Sequence, residues 1–216
     1  MKRETVKNMD ALFMQLALKE ARLAAKEGEA PIGAVLVRNA DKCKMDDVIF
    51  CEHKCETGCE IDVGNIEKPQ TGREKNAFYG GECIDLANGA RFCLPKDVEI
   101  HLARNHREFF HDVTSHAEIE SIRAAGKAKG DWRLPEYTLY VTLEPCPMCA
   151  GAILGARISR VVYGAKDATA GAMGSVLDLP RYPLGVRPTV TGGVLATEAA
   201  ALLREFFQEK RKNEKF

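Results

Sequence analysis

The sequence predicts an α/β domain in which helices cover a central sheet. Three observations predict it. The β-branched runs PIGAVLV, TLYVTL and RVVYGA recur along the chain, segments with apolar residues at helical spacing lie between them, and the two kinds of segment alternate over most of the 216 residues. That length suits one well-buried domain with room for an elaboration.

Each element has its own signal. Asp10 is placed to cap a helix whose apolar positions Met14, Ala17, Leu18, Ala21 and Ala25 recur at helical spacing, and Gly28 suits its C-terminal stop. PIGAVLV, residues 31–37, reads as a buried strand. From about residue 40 to 96 neither period persists: glycines, eleven acidic and eight basic residues and six cysteines fill a stretch that reads as an insertion into a single domain spanning 1–216. VEIHLARN, residues 98–105, is a strand suited to pair with PIGAVLV. A loop, REFFHDVTS, leads to a helix opening at SHAEIESIRAAGKAKG. Trp132 and Leu134 precede the strand TLYVTL, and PCPMCAGAILGA restarts a helix with Pro145 in its first turn. RVVYGA, a loop containing Gly171 and Gly174, a strand near TVTGGVL and a helix from about Thr197 complete the chain.

Composition narrows the function classes. With 31 basic and 31 acidic residues there is no global positive field, so a nucleic-acid contact must be local. No apolar run approaches eighteen residues, and MKRETVKNMD lacks the apolar segment of a secretory signal, so the expectation is a cytoplasmic protein without a membrane span. The cysteines divide sharply. Cys43, Cys51, Cys55, Cys59, Cys83 and Cys93 lie in the insertion, and Cys146 and Cys149 lie outside it.

Two motifs stand at predicted helix starts: His116-Ala117-Glu118 and Pro145-Cys146-Pro147-Met148-Cys149. Two thiolates at C-x-x-C spacing converge on one ion from a single helical turn, and the positive end of that helix favours the thiolate form. A histidine from a second helix start makes a third ligand, which leaves one tetrahedral position of a zinc ion open, the pattern of a catalytic site. Glu118 then stands close to the ion without being a ligand, where a carboxylate serves as general acid and base. Separately, each motif has an ordinary reading: Ser115 to Glu118 is also a capping box, and a lone C-x-x-C is also a redox pair or half a structural zinc site. Together they form the zinc deaminase signature.

The chain resembles the bacterial tRNA-specific adenosine deaminases of the cytidine-deaminase-like superfamily. APIGAVLV, SHAEI, WRL, TLYVTLEPCPMCAGA, RVVYGAKD, AGAMGS and LLREFF occur here in that family's order, covering nearly everything outside the insertion. The resemblance implies a three-layer α/β/α fold with a central mixed sheet of about five strands, a homodimer, and hydrolytic deamination of adenosine to inosine at the first anticodon position of a tRNA, normally an arginine tRNA. It implies one catalytic Zn2+ held by His116, Cys146 and Cys149, Glu118 as proton shuttle, and Asn105 as a contact to the flipped nucleotide. Two other readings compete: a deaminase of a free nucleobase or nucleotide, and a non-catalytic RNA-binding pseudo-deaminase subunit.

Two stretches remain. The tail REFFQEKRKNEKF mixes basic residues with Phe206 and Phe207, which suits RNA phosphates and bases or, alternatively, core packing. FCEHKCETGC, in the insertion, holds Cys51, His53, Cys55 and Cys59. With Cys83 and Cys93 these offer ligands for a second, structural metal, because a segment so poor in apolar residues needs another way to fold.

Overall fold

The computed structural model describes residues 9–40, 49–51, 77–78, 83–85, 91–93 and 98–213. Helix α1 (Met9–Lys26) is followed by strand β1 (Gly33–Arg38). Four short strands then come from the insertion: β2 (Ile49–Cys51), β3 (Ala77–Phe78), β4 (Cys83–Asp85) and β5 (Arg91–Cys93). The domain resumes with β6 (Glu99–Arg104), α2 (Arg107–Phe110), α3 (Ala117–Lys129), β7 (Tyr137–Leu143), α4 (Pro147–Gly155), β8 (Arg160–Ala165), β9 (Thr189–Gly192) and α5 (Ala196–Asn213).

The main sheet has the order β3-β6-β1-β7-β8-β9. β1 pairs antiparallel with β6 and with β7, and β7, β8 and β9 run parallel, so the sheet is mixed. PIGAVLV and VEIHLARN pair as their sequences suggested, with Val35 opposite Leu102. The sheet holds six strands where about five were expected, because β3 of the insertion adds two residues along the free edge of β6. Pairing there covers an edge that would otherwise expose unpaired backbone groups.

Side-chain alternation along the strands builds the three layers. From β1, Val35 and Val37 enter a cluster with Leu12, Phe13 and Leu16 of α1, whereas Ala34 and Leu36 enter a second cluster with Ala117 and Ala125 of α3 and Ala150 and Ile153 of α4. On β7 the same division sends Tyr140 to the first cluster and Leu139 and Val141 to the second. Both faces of the sheet are therefore apolar, and each fully buried side chain of this size contributes about 1.5–3 kcal/mol. Gly33 is needed where α1 crosses β1: a Cβ there would stand 2.1 Å from the Ala17 carbonyl oxygen. Among the described residues, no helix is long and apolar enough to cross a membrane.

Three local expectations are corrected. REFF is a helical turn rather than loop, stopped where His111 takes a left-handed conformation at φ 50°. The helix after β7 begins at Pro147, two residues later than the Pro145 reading. Asp10 lies inside the first turn of α1 rather than capping it, and its carboxylate accepts two hydrogen bonds from the Arg160 guanidinium, both 2.7 Å, and one from the Tyr140 hydroxyl at 3.0 Å. A fork-to-fork pair at this half-buried position ties α1 to β7 and β8.

The Arg160 hydrogen bonds, opposed by burial, hold the Asp10 carboxyl below its ordinary value. A depressed carboxyl contributes stability that is present above its unfolded value near pH 4 and is lost as pH falls through the lower folded value. Asp10→Asn should therefore lower unfolding free energy at pH 7 by about 1–2 kcal/mol and flatten the loss of stability below about pH 4. Urea melts of both proteins across that pH range measure it, and parallel pH profiles would remove the assignment.

Candidate active site

The site is assembled from strand ends and helix starts. Beyond β7 the chain turns through Glu144 and Pro145, Cys146 takes the N-cap of α4, and Cys149 lies in that helix's first turn. Pro147 occupies the first helical position, where its missing N–H has no partner to lose. His116 takes the N-cap of α3, and neither cap side chain bonds its own helix. The capping-box alternative is thereby set aside. Ser115 lies before the cap, and its hydroxyl donates to Asp112 at 3.2 Å.

The ligand atoms of His116, Cys146 and Cys149 all lie within 4.8 Å of one another. His116 Nδ1 is 3.7 Å from Cys146 Sγ and 3.4 Å from Cys149 Sγ. A tetrahedral zinc with ordinary bond lengths separates an imidazole nitrogen from a thiolate sulfur by about 3.6 Å. The trio therefore fits that ion in donor type and in spacing.

Charge in the trio is shared unevenly. The Cys149 thiol donates to Cys146, and that bond, helped by the His116 imidazole and opposed by burial, lowers Cys146 to about 4. Giving that hydrogen bond, together with burial, pushes Cys149 up, and the bond to Cys146 raises His116. A dication requires both sulfurs as thiolates, so its binding would release the Cys149 proton.

Glu118 is 3% exposed, and its Oε2 has no hydrogen-bond partner among the described residues. Burial raises its carboxyl above the ordinary value. An unpaired buried carboxylate oxygen costs stability, and its position beside three metal-type donors makes Glu118 a candidate functional group.

Asn105, at the end of β6, is buried, and the hydrogen bond from His106 N–H to the Ser115 carbonyl ties that strand end to the entrance of α3. Its Nδ2 donates to Glu29 Oε2 at 2.8 Å, and Glu29 Oε1 accepts the Phe109 N–H at 2.8 Å. Glu29 thereby fixes both the Asn105 amide and the α2 turn. Glu144 does comparable work on the other side. Its buried carboxylate accepts N–H groups of Asp167 (3.2 Å), Met173 (3.0 Å) and Ser175 (3.0 Å) and the Ser175 hydroxyl, holding the loop after β8 against the Cys146 turn. Gly171 allows this approach, since a Cβ there would meet the Glu144 carboxyl at 2.6 Å.

Sequence reading missed Glu29 and Glu144. The available signal was an acidic residue abutting each apolar strand. It also missed Phe109 and Phe110 of α2, which are exposed and pack edge to face beside the His106 ring. The tail is mixed: Phe207 is exposed, Phe206 is half-buried against it, and of α5 only Ala199 is buried. In the insertion, His53, Cys55 and Cys59 lie outside the described residues, and Cys51, Cys83 and Cys93 are described in backbone alone.

Comparison with known proteins places these features in a family context. The cytidine and deoxycytidylate deaminase zinc-binding region matches residues 7–165. The chain is 36% identical over 207 residues to a tRNA-specific adenosine deaminase of Bacillus subtilis (strain 168), covering 95% of this chain and 93% of that one. It is similar to a structure solved in work on A-to-I editing by tRNA:A34 deaminases at the wobble position of transfer RNA, with 33% identity, a TM-score of 0.58, and coverage of 89% of this chain and 99% of that one. It is also 55% and 51% identical to parts of tRNA(Ile)-lysidine synthases of Deinococcus radiodurans and Deinococcus deserti, and spans 17% and 26% of their length.

Removing the Glu144 carboxylate would strand several N–H groups at once. Glu144→Ala should cost about 2–4 kcal/mol in denaturant unfolding and loosen residues 167–175, read as faster amide exchange at Met173 and Ser175. Unchanged exchange there would show that the loop is held by other contacts.

Proposed function

The chain belongs to the zinc-binding cytidine and deoxycytidylate deaminase family, and on that premise we propose that it hydrolytically deaminates adenosine to inosine at the wobble position of a tRNA. One observation carries the reading. Three zinc-type ligand atoms lie within 4.8 Å of one another beside a buried glutamate with an unpaired carboxylate oxygen. Similarity to a tRNA-specific adenosine deaminase over nearly the whole of both chains supports the substrate class.

In this reading His116, Cys146 and Cys149 hold a Zn2+ ion, which when bound acidifies water toward neutral pH. Glu118 takes the proton of the attacking water as oxygen bonds to C6 of adenine. It passes that proton to the ring nitrogen and then moves the second proton of the same water, from the hydroxyl now on C6, to the amine, so that the C6–N bond breaks, a C6 carbonyl forms and ammonia leaves. Its raised affinity for a proton suits both halves of that task. Asn105, its amide oriented by Glu29, contacts the flipped nucleotide. An anticodon loop presents such a nucleotide outside a duplex, at low unstacking cost.

RNA contact with a chain of zero net charge must be local. Arg107, Phe109 and Phe110 stand next to Asn105, and exposed aromatic faces beside a guanidinium suit unpaired bases. Lys210, Arg211 and Lys212 at the end of α5 supply phosphate partners. The family likeness supports an arginine tRNA, a homodimer, a cytoplasmic setting and one deaminase domain interrupted at 40–96. Exposed Trp132, with the Arg133 and Arg157 guanidinium groups 4.2 and 5.3 Å from its ring centroid, offers an apolar surface for such a second copy.

An anticodon stem-loop of an arginine tRNA with adenosine at its first anticodon position should yield inosine, while free adenosine, guanine and cytosine remain unchanged. Activity confined to free bases would move the chain to the free-base reading. Glu118→Ala should lower the rate by at least about 10²-fold with zinc content equal to wild type. A fully active variant would refute the role of Glu118, and a zinc-loaded wild type inert on every substrate would indicate a binding subunit.

A further inference from the structure

The α2 turn is held in an unusual way. None of its four residues is buried, so core packing does not set its place. Polar anchors do so instead: the Phe109 N–H donates to Glu29 Oε1 at 2.8 Å, the Phe110 N–H to the His106 carbonyl at 3.0 Å, and the His106 N–H to the Ser115 carbonyl at 3.0 Å. Past the turn, the Asp112 carboxylate accepts the Thr114 N–H at 2.8 Å, the Thr114 hydroxyl at 2.7 Å and the Ser115 hydroxyl at 3.2 Å. Glu29 is itself 1% exposed. A buried carboxylate thus serves the backbone of a surface turn.

That turn carries a cluster of three rings. The Phe109 and Phe110 rings meet edge on with centroids 5.0 Å apart, and the His106 ring lies 5.4 Å from Phe110 and 6.3 Å from Phe109. Exposure rises through the cluster, from 21% for the His106 side chain to 37% for Phe110 and 74% for Phe109. Phe109 is therefore the outermost ring, and the other two back it. A ring fixed in water gains little from burial in the free protein, and fixing it beforehand lowers the ordering cost of binding whatever covers it. Glu29 also indicates what that is. Its other oxygen, Oε2, accepts Asn105 Nδ2 at 2.8 Å, so one carboxylate sets Phe109 beside the residue that contacts the target nucleotide in the deaminase reading. In a single strand the flipped nucleotide is joined directly to its neighbours, and any base has a π-face that stacks on an aromatic ring.

We propose that Phe109 stacks on the base of one nucleotide directly flanking the target adenosine, with Phe110 and His106 as its backing. The inference rests on the tRNA deaminase reading and adds a substrate-positioning contact to it. Phe109 holds a base that does not react, so the contact is the same before and during the chemical step. Its loss therefore weakens binding and leaves the chemical step much as it was. Stacking of this kind is also tolerant of sequence, so the flanking position requires a base without requiring a particular one.

The test compares full-length wild type, Phe109→Ala and Phe109→Trp on three anticodon stem-loops: one intact, one abasic on the 5′ side of the target adenosine and one abasic on its 3′ side. On the intact loop Phe109→Ala should raise KM by about tenfold with a much smaller change in kcat, and Phe109→Trp should stay close to wild type. One of the two abasic loops should raise the wild-type KM by a similar factor and raise that of Phe109→Ala no further, because base and ring form one contact. A ring that only braced α2 would give factors that multiply on both abasic loops. If the alanine variant fails to fold, Phe109→Leu, which keeps apolar bulk without the ring, takes its place with the same expected outcome. An unchanged KM on the intact loop, or multiplying factors on both abasic loops, would overturn the inference while inosine formation leaves the deaminase reading intact. A wild type that neither binds the intact loop nor forms inosine would overturn both together.

Discussion

The polarity of β1 sets the position of everything else in the site. Because it runs antiparallel to both β6 and β7, the start of β1 and the ends of its two neighbours meet at one end of the sheet. Glu29 lies just before β1, Asn105 just after β6, and Glu144 and Cys146 just after β7, so each arrives at that end without a dedicated contact to bring it there. The helices returning from those strands must also begin there. His116 and Cys146, thirty residues apart, are carried by two helix starts whose positive ends favour the thiolate form of a Cys-rich site. Parallel pairing of β1 with β7 would send these groups to opposite ends of the sheet.

The same polarity fixes where the segment 40–96 connects to the main sheet. Apart from the two-residue edge strand β3, the chain leaves the main sheet at Arg38, the end of β1, and rejoins it at Glu99, the start of β6. Those two residues are paired in register at the end away from Asn105 and Gly33. Extra length at that end lengthens a hairpin connection, whose entropic cost grows only slowly with loop length. The insertion also gives something back, since β3 pairs with the exposed edge of β6 and Ile84 joins the α1 cluster.

How much could be read from sequence follows from the range over which each signal acts. Strand and helix signals are local, and the β-rich runs PIGAVLV, VEIHLARN and TLYVTL sufficed to place the core strands and to suggest the β1–β6 pairing. The grouping of His116, Cys146 and Cys149 was legible because metal chemistry restricts residue type at fixed spacing. Element starts were less legible. Pro145 and Pro147 both suit a first helical turn, and only the packed structure shows that Cys146 takes the cap between them. Asp10 resembled a cap because Asp favours that position, yet Arg160, 150 residues away, is its partner. Glu29 and Glu144 were invisible for the same reason, since their partners lie between 23 and 80 residues away.

Among the buried glutamates at this end of the sheet, Glu29, Glu118 and Glu144 differ in their hydrogen bonding. Glu144 accepts from three backbone N–H groups and a hydroxyl, and Glu29 from an amide and a backbone N–H. Carboxylates so engaged act as acceptors that hold a loop or an amide in place. Glu118 differs: its Oε2 lacks a partner and burial raises its affinity for a proton. A group that exchanges protons during a reaction must change charge state at little cost, and a buried carboxylate with an unpartnered oxygen and a raised proton affinity suits that task. Glu29 and Glu144 thus hold Asn105, α2 and the loop after β8 in place around the ligand trio, and Glu118 is the group suited to proton transfer in the proposed reaction.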